Sequence, residues 1–505
     1  MTQPTSTPAA APAADKEPWP ALLALCIGFF MILVDTTIVS VATPAIIVDL
    51  QADVNSVVWV TSAYLLAYAV PLLITGRLGD RFGPRRLYLV GLTVFTLASL
   101  WCGLTSTVDG LVMARVAQGV GASLMTPQTM AIITRVFPPH RRGAAMALWG
   151  ATAGVATLVG PILGGVIVDA LSWEWIFFIN VPVGVVAFVL ARRLVPVLET
   201  HSHQFDWLGV ALSGAGMFLL VFGIQEGEQL DWSATVWLLI VGGLVVLGLF
   251  VWWQARNRRE PLVPLGLFAD RNFSVGNVAI SSISFVINAM AIPVMLWAQV
   301  VRDLSPTRAA LLLVPMALMN VLFARPVGRL TDRVHPRAIT SAGFVCLAVG
   351  TALLVQAVTV DGSLWWTVPA MAIVGAGNVC VWAPTSATTT RNLPMALAGA
   401  GAGVFNATRQ VGAVIGAAAI AVLMDARLAA EGLSGASSAE RTGGALPAEV
   451  AQRFNDAMAS ALWIAPATAL LGLVAVLFFE KPRHAGYAAA AVEPTGGRAS
   501  RDAGA

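Results

Sequence analysis

Long apolar runs separated by short polar segments form the dominant pattern of the chain. An α-helix needs about 20 apolar residues to cross the hydrocarbon core of a bilayer, and fourteen runs come near that length. They lie near residues 20–46, 57–75, 87–105, 109–134, 144–169, 174–191, 207–225, 233–254, 273–300, 306–324, 338–358, 363–384, 396–424 and 458–479. We number them spans 1–14. The pattern predicts an all-α polytopic membrane protein with fourteen transmembrane helices.

Composition argues against a soluble protein. Hydrophobic residues make up 57% of the 505 residues and charged residues 11%, against about 25% charged residues in ordinary globular proteins. The net charge of +3 does not indicate a nucleic-acid partner. The first 18 residues are rich in Ala, Pro and Thr and have no basic region that leads into a cleavable apolar segment. They predict a disordered tail and not a signal peptide.

The distribution of Lys and Arg predicts the orientation. An even number of spans puts both tails on one side of the membrane. If that side is the cytoplasm, its tails and loops carry 23 basic residues, whereas the outer loops carry five. Basic residues concentrate on the cytoplasmic side of membrane proteins. We therefore expect a multi-pass protein of the cell inner (plasma) membrane with both termini in the cytoplasm.

Two segments separated by 252 residues reveal an internal repeat. GRLGDRFGPRR (76–86) after span 2 and GRLTDRVHPR (328–337) after span 10 agree at seven of ten aligned positions. VGPILG in span 5 aligns with VGAVIG in span 13, and Arg135 after span 4 aligns with Arg391 after span 12. The repeat predicts two six-helix bundles in parallel repeat plus two inserted helices, which are spans 7 and 8.

These observations divide the chain into five parts. They are a cytoplasmic tail (1–18), an N-terminal six-helix bundle (19–195), two inserted helices (206–254), a C-terminal six-helix bundle (273–480) with an extracellular loop (425–457), and a second cytoplasmic tail (481–505). Many secondary transporters are built from such repeats, with the substrate between the halves near the bilayer midplane.

Four motifs carry a resemblance to a known family. They are LVDTTIVSVATP (33–44) in span 1, GRLGDRFGPRR (76–86) after span 2, RVAQGVGASLMTP (115–127) in span 4 and GVATLVGPILGG (154–165) in span 5. Together they resemble motifs of the major facilitator superfamily, and within it those of the fourteen-helix drug:proton antiporter family. The resemblance implies a secondary active transporter that exports small lipophilic compounds, cationic ones among them, in exchange for protons by alternating access.

Asp35 is the only acid that we place deep inside a span. A lone carboxylate in a bilayer is costly unless it is paired or protonated, so it is a candidate functional group. Arg115 lies at a similar depth in span 4, and in the resembled family these helices line one cavity. We predict that Asp35 and Arg115 carry the proton coupling. The alternatives are an Asp held permanently by backbone donors and an Arg that snorkels to the outer surface.

The repeated loop motif predicts a gate on the cytoplasmic side. Asp80 can accept hydrogen bonds from the N-terminal amides of a neighbouring helix or from arginine side chains, and the glycines permit a tight turn. We expect a latch that holds the outward-open state, in addition to the role of the arginines as topology anchors. The predicted gate residues are Gly76, Asp80, Arg81, Gly83, Arg85, Arg86, Asp332 and Arg333.

Small residues and a proline in span 5 predict a close approach of helices and a bend. They are Gly154, Gly160, Pro161, Gly164 and Gly165. A seal against leak, which would favour exchange over cotransport, is implied only by the resemblance. A general packing face is the alternative.

Aromatic, amide and Met side chains on the spans around the expected cavity are candidates for substrate contacts. The candidates are Phe29, Tyr64, Tyr68, Gln118, Met125, Trp149, Asn288, Trp297, Trp382, Phe405, Asn406 and Arg409. Soft apolar walls would suit varied substrates. Each of these residues could instead face lipid or the core, and Arg409 could be a structural tie to carbonyls or amides.

Other functions remain to be weighed against multidrug export. A dedicated exporter of one endogenous metabolite, antibiotic or lipid fits the sequence equally well. A membrane sensor or enzyme would need clustered polar residues or a soluble domain, and the five His lie in loops or the C-terminal tail. No nucleotide-binding loop is present, so we expect no cofactor and no metal. The expected partners are a lipophilic small molecule, protons and membrane lipids, and the expected state is a monomer.

Overall fold

The computed structural model describes residues 18–51, 54–138, 141–200, 206–227, 230, 232–257, 261–360, 362–433 and 447–480. The two predicted tails, apart from Pro18, and the centre of the predicted loop 425–457 lie outside these residues. Every regular element within them is helical, which confirms the predicted all-α class.

The described residues form two bundles with a pair of helices between them. The N-terminal bundle contains α1 (Trp19–Asp49), α2 (Val54–Ala69), α3 (Leu72–Phe82), α4 (Pro84–Leu104), α5 (Val108–Val136), α6 (Arg142–Ala170), α7 (Trp175–Phe178) and α8 (Asn180–Leu194). The pair is α9 (Trp207–Gln225) and α10 (Ala234–Arg256). The C-terminal bundle contains α11 (Arg271–Leu296), α12 (Pro306–Leu311), α13 (Val314–Thr331), α14 (Pro336–Ala357), α15 (Thr367–Arg391), α16 (Ala398–Ala430), α17 (Ala448–Leu462) and α18 (Ile464–Val476).

The number of membrane-crossing helices differs slightly from the prediction. Among the described residues, twelve helical segments are long and apolar enough to cross a membrane. The number is thirteen if α2 and α3, which meet at 47°, form one span. The predicted span outside this set is span 4, which is α5 and whose buried positions include Arg115, Gln118 and Gln128. It nevertheless packs along α4 and α2 inside the N-terminal bundle.

Several predicted loops are shorter than expected because helices continue into them. Residues 76–82 belong to α3 and residues 328–331 to α13, so much of the repeated motif is helical. The chain turns at Gly83, whose φ of +92° favours glycine. Likewise α16 extends to Ala430 through an Ala-rich segment, a composition with high helix propensity, and α17 begins at Ala448.

The start of α1 and the end of α18 lie at the same face of the molecule, which we call the tail face. There Trp19 contacts Phe137 at the end of α5, with ring centroids 5.3 Å apart. Asn272 at the start of α11 exchanges hydrogen bonds with the backbone of Glu480, beyond α18. The two bundles meet chiefly where α3 packs on α16 and α6 packs on α13. The two contacts are related by the repeat, because α3 corresponds to α13 and α6 corresponds to α16.

The inserted helices α9 and α10 pack against each other beside the two bundles, and α9 contacts both α2 and α16. Leu66 of α2 forms a buried apolar cluster with Met217 and Val221 of α9, and Val411 and Val414 of α16 pack against it. The inserted pair therefore covers the seam between the bundles on this side.

Asp206 anchors the inserted pair. Its carboxylate accepts hydrogen bonds from the backbone N–H of Gly209 at 2.9 Å and from Trp253 Nε1 and Gln254 Nε2 at 2.8 Å each. Burial raises the pKa of Asp206, but these hydrogen bonds lower it by more, so the pKa lies below its ordinary value. The charged carboxylate therefore caps the start of α9 and ties it to the end of α10.

Candidate transport site

Asp35 lies near the middle of α1 and is fully buried. Its carboxylate forms an ion pair with Arg115 of α5. It also accepts hydrogen bonds from Gln118 Nε2 at 2.8 Å and Asn180 Nδ2 at 3.1 Å. The same two amides donate to the Ser99 hydroxyl of α4 at 2.6 and 3.2 Å. The described hydrogen-bond partners of the carboxylate are all donors, and hydrogen bonds that involve ionised groups are stronger than neutral ones.

The structure brings Asp35 and Arg115 together, as the sequence predicts. Their hydrogen-bond partners Gln118 and Asn180, and Ser99 beyond these, all belong to the N-terminal bundle. The pair is thus enclosed by residues of one bundle. Ser99 and Asn180 were not predicted. The sequence feature that could have identified them is that each is a polar residue within a mostly apolar span.

Arg115 connects the Asp35 site to two stacked tyrosines. Its guanidinium also donates to the Val60 carbonyl at 3.1 Å, and its Cζ lies 3.9 Å from the ring centroid of Tyr64, a cation–π contact. Tyr64 stacks on Tyr68 with centroids 6.2 Å apart, and the Tyr68 hydroxyl accepts a hydrogen bond from Arg409 Nη2 at 3.0 Å. Because Arg409 belongs to α16, these contacts reach from the buried carboxylate to the C-terminal bundle.

Aromatic rings from both bundles meet near Arg409. Phe29 of α1 stacks on Trp149 of α6 with centroids 4.8 Å apart, and Trp149 lies 6.1 Å from Trp382 of α15. The Cζ of Arg409 lies 5.9 Å from the ring centroid of Trp382. Asn406, one turn before Arg409 in α16, is fully buried. We call these five residues the interbundle aromatic cluster.

The remaining predicted cavity residues are not members of the interbundle aromatic cluster. Gln118 belongs to the Asp35 site, and Met125 packs among apolar residues within the N-terminal bundle. Asn288 donates to a backbone oxygen of its own helix, and the indole of Trp297 donates to a loop carbonyl. Phe405 is fully buried in the same apolar core as Phe29 and Trp149. These residues lie on the predicted spans, but position in a span does not decide which way a side chain points.

Asp80 of α3 forms the first of two matching contacts on the tail face. Its oxygens accept hydrogen bonds from the backbone N–H groups of Gly399 and Ala400 at the start of α16, at 2.9 Å each. The carboxylate is fully buried and forms an ion pair with Arg135. The first N–H groups of a helix have no partner within the helix and carry the positive end of its dipole. A carboxylate at this position therefore stabilises the contact between bundles.

Asp332 at the end of α13 repeats this arrangement in the other half. It accepts hydrogen bonds from the backbone N–H groups of Gly143 at 3.0 Å and Ala144 at 3.4 Å, in the first turn of α6. Its ion pair with Arg391 measures 3.3 Å. Each acid belongs to one bundle and each helix start to the other, so the two contacts together hold the tail face closed.

Glycines allow the backbones to approach at these contacts. A Cβ on Gly76 would overlap the backbone oxygen of Gly399 and lie 2.9 Å from the Cα of Gly403. In the other half, a Cβ on Gly328 would lie 2.8 Å from the Cα of Ala144. The predicted importance of Gly76 therefore has a steric reason, which is close helix contact and not a turn.

The arginines that pair with the two acids come from outside the predicted motif. Arg135 and Arg391 stand at the ends of α5 and α15, and the signal for them was their alignment in the repeat. The predicted arginines lie nearer the surface, where Arg81 and Arg85 are half-buried and Arg86 and Arg333 are exposed.

Helix α6 contacts both bundles through its small residues. A Cβ on Gly154 would lie 3.0 Å from Asn320 Cβ of α13, whereas Cβ atoms on Gly160 and Gly164 would press against side chains of α1. Pro161 lies inside the helix. The structure thus has the close approach that the sequence predicts, and the role of this helix as a seal stays a prediction.

Comparisons with known proteins agree with these features. The family model of the Major Facilitator Superfamily matches residues 25–206 and 207–417. An uncharacterized MFS-type transporter of Mycobacterium tuberculosis is 50% identical over 469 residues, which are 92% of this chain and 81% of that protein. The tetracenomycin C resistance and export protein of Streptomyces glaucescens is 33% identical over 416 residues, covering 82% and 77%. Other relatives are named multidrug resistance or multidrug export proteins.

The fold is also found among solved structures. The proton:xylose symporter XylE, a protein of the same superfamily, superposes with a TM-score of 0.63 at 14% identity over 91% of this chain and 94% of that one. At this identity the likeness concerns the fold alone. The two-bundle helical fold, the repeated tail-face contacts and the match over most of the chain lead to one conclusion. This multi-pass membrane protein belongs to the major facilitator superfamily of transporters, in the branch whose members include named multidrug exporters.

Proposed function

We propose that this protein is a proton-coupled antiporter that exports small lipophilic compounds by alternating access. The observation that carries the proposal is the enclosed Asp35–Arg115 pair, because ionisable residues inside a membrane are costly and mark proton and substrate pathways. In this proposal the protein lies in the plasma membrane as a monomer and its tail face is cytoplasmic. The proton gradient supplies the energy without a cofactor.

Proton uptake by Asp35 would change the contacts of Arg115. While Asp35 is charged, the ion pair compensates both charges. When Asp35 binds a proton, Arg115 keeps the Val60 carbonyl, the Gln118 amide oxygen and the Tyr64 ring, none of which is charged. Leaving one partner of a buried pair without its counter-ion costs about 3–5 kcal/mol. Protonation therefore favours a rearrangement around Arg115.

The stacked tyrosines are the proposed route from this site to the substrate. A displaced Arg115 moves the Tyr64 ring on which it lies, Tyr64 stacks on Tyr68, and Tyr68 holds Arg409 of the other bundle. Coupling between two ligands is a free energy that acts in both directions. A substrate bound beside Arg409 should therefore alter the protonation of Asp35, even though the two ligands never touch.

The tail-face contacts support alternating access. Asp80 and Asp332 join the bundles on this face, and opening toward the cytoplasm would have to break both contacts. Because each contact is either made or broken, the closed arrangement is a discrete state and not one point in a continuous motion. We assign this arrangement to the stage at which substrate is released outside.

The protein could export many unrelated compounds or only one chemical group, and the relatives support both functions. The relatives named for multidrug resistance favour a multidrug exporter, and the relative named for tetracenomycin C export favours a dedicated exporter of one antibiotic or metabolite. Transport of a panel of unrelated lipophilic dyes and antibiotics would separate them, since a dedicated exporter would move one chemical group only.

Transport by purified protein in proteoliposomes tests the proposed coupling. We expect an imposed pH gradient to drive dye transport by the wild type and not by Asp35→Asn, which keeps the size of the side chain but removes the titratable group. Asp109→Asn is the matched control, because Asp109 is an exposed acid at the start of α5. Size-exclusion chromatography and thermal unfolding would show that both variants fold. Wild-type transport by Asp35→Asn under the same gradient would contradict the proposal.

A further inference from the structure

The interbundle aromatic cluster holds buried polar atoms that have no hydrogen-bond partner among the described residues. They are the indole nitrogens of Trp149 and Trp382, the Nε of Arg409 and the Oδ1 of Asn406. Trp149 and Asn406 are fully buried and Arg409 is 9% exposed. A buried donor left unsatisfied costs about 1–3 kcal/mol. Three such donors in one small region call for a ligand that accepts hydrogen bonds.

Arg409 also carries a charge that nothing in the described part of the chain neutralises. Its guanidinium has five N–H groups, of which one donates to the Tyr68 hydroxyl, and it forms no ion pair among the described residues. Its other close contact is with the ring of Trp382. A buried guanidinium without a counter-ion attracts anions and electron-rich oxygens, and it repels cations.

The cluster lies where a transporter of this fold would bind its cargo. Trp149 is about 10 Å along α6 from its tail-face end, and Arg409 is about 16 Å along α16 from its own. The cluster is therefore deeper than the tail-face contacts of Asp80 and Asp332. Its rings come from α1, α6 and α15, so it spans both bundles. Substrate sites of repeat-built transporters lie between the halves near the midplane.

We propose that the interbundle aromatic cluster binds planar aromatic compounds that present carbonyl, phenol or carboxylate oxygens, in neutral or anionic form. The rings of Phe29, Trp149 and Trp382 would stack on the aromatic plane of the ligand. The two indole N–H groups and the free face of Arg409 would donate to its oxygens. This inference rests on the proposed export function, because it names the cargo of that machine. It is opposed to the sequence-based expectation of cationic substrates.

Equilibrium binding to the purified protein in detergent tests the inference with two planar tricyclic probes. Anthraquinone-2-carboxylate is an anion with carbonyl acceptors, and N-methylacridinium is a cation without them. We expect the wild type to bind the anthraquinone at least tenfold more tightly, measured by calorimetry. Tighter binding of the acridinium would overturn the inference.

Variants that remove donors while keeping rings make the test specific. We expect Trp149→Phe and Trp382→Phe each to weaken anthraquinone binding about threefold to tenfold, the loss of one neutral hydrogen bond. Acridinium binding should weaken less, because the acridinium accepts no hydrogen bond and the phenyl ring still stacks on it. Trp365→Phe is the matched control, because Trp365 is 79% exposed. Equal anthraquinone affinity in all three variants and the wild type would refute the role of the indole donors.

The role of the Arg409 charge can be tested by comparing the direction in which its removal changes the affinity for each probe. We expect Arg409→Gln to weaken anthraquinone binding about tenfold to a hundredfold and to strengthen acridinium binding. A loss of affinity for both probes in Arg409→Gln would indicate a structural role only and would sink the proposal. Because no proton gradient is involved, these affinities would stand even if proton-coupled transport failed in proteoliposomes.

Discussion

Asp80→Asn should open the tail face, because it removes a buried charge from the contact between the two bundles. Asparagine has the same size and can still accept one of the two hydrogen bonds from the start of α16. Its amide group would face the second N–H donor, and the carboxylate that now pairs with Arg135 would be gone. The change therefore acts on electrostatics and not on packing.

The structure sets the size of the effect. Asp80 is fully buried, and its carboxylate accepts both hydrogen bonds that come from α16 of the other bundle. A hydrogen bond to a charged group contributes about 1.5–3 kcal/mol. A cost of about 3 kcal/mol shifts the balance between closed and open tail face by more than a hundredfold. We expect a smaller effect from Asp332→Asn. Its contacts are longer, with one amide at 3.4 Å and the arginine at 3.3 Å.

Electron paramagnetic resonance distances across the tail face provide the assay. Spin labels on Arg86→Cys of the N-terminal bundle and Met395→Cys of the C-terminal bundle would sit at exposed positions, in a background without the four native cysteines. In the Asp80→Asn variant we expect a second, longer distance to become the main population. Turnover in proteoliposomes should fall while equilibrium binding of substrate stays within about twofold, because Asp80 is remote from the interbundle aromatic cluster.

Two results would refute this reasoning. One is a distance distribution in Asp80→Asn that matches the wild type and the Asp109→Asn control. The other is a strong loss of equilibrium binding with turnover intact, which would place Asp80 in substrate recognition and not in gating. A larger shift in Asp332→Asn than in Asp80→Asn would also contradict the ranking that the distances predict.

Two further changes have defined outcomes. Tyr68→Phe should slow proton-driven transport in proteoliposomes while leaving binding at fixed pH intact, because it removes the hydroxyl that joins the tyrosine stack to Arg409; unchanged transport would exclude this route. Asp206→Asn should lower the thermal unfolding temperature at pH 7, because the pKa of Asp206 lies below its ordinary value and the charged form therefore stabilises the folded state above it. The difference from the wild type should shrink as the pH falls through the folded-state pKa, and a difference that persists at low pH would contradict this cause.

The sequence by itself determined the features that depend on local pattern or on the repeat. Apolar run length predicted the helices, and the similarity of residues 76–86 and 328–337 predicted that both halves carry the same tail-face contact. Asp80 could be expected to meet a helix start, because an acid in that setting needs N–H donors. Asp35 could be predicted as a functional residue because it is the one acid in an apolar span, where a charge without a partner is costly.

Only the tertiary structure decided which helices face each other. It enclosed Asp35 within the N-terminal bundle with Asn180, and it brought Tyr68 of one bundle to Arg409 of the other. It also left the indole N–H of Trp149 without a hydrogen-bond partner in the part of the chain that the structure describes. Successive side chains of a helix point about 100° apart around its axis. In a span that is apolar on all sides, the sequence therefore does not mark the side that faces a particular neighbour. Which side faces lipid, core or the other bundle is set by packing between distant segments.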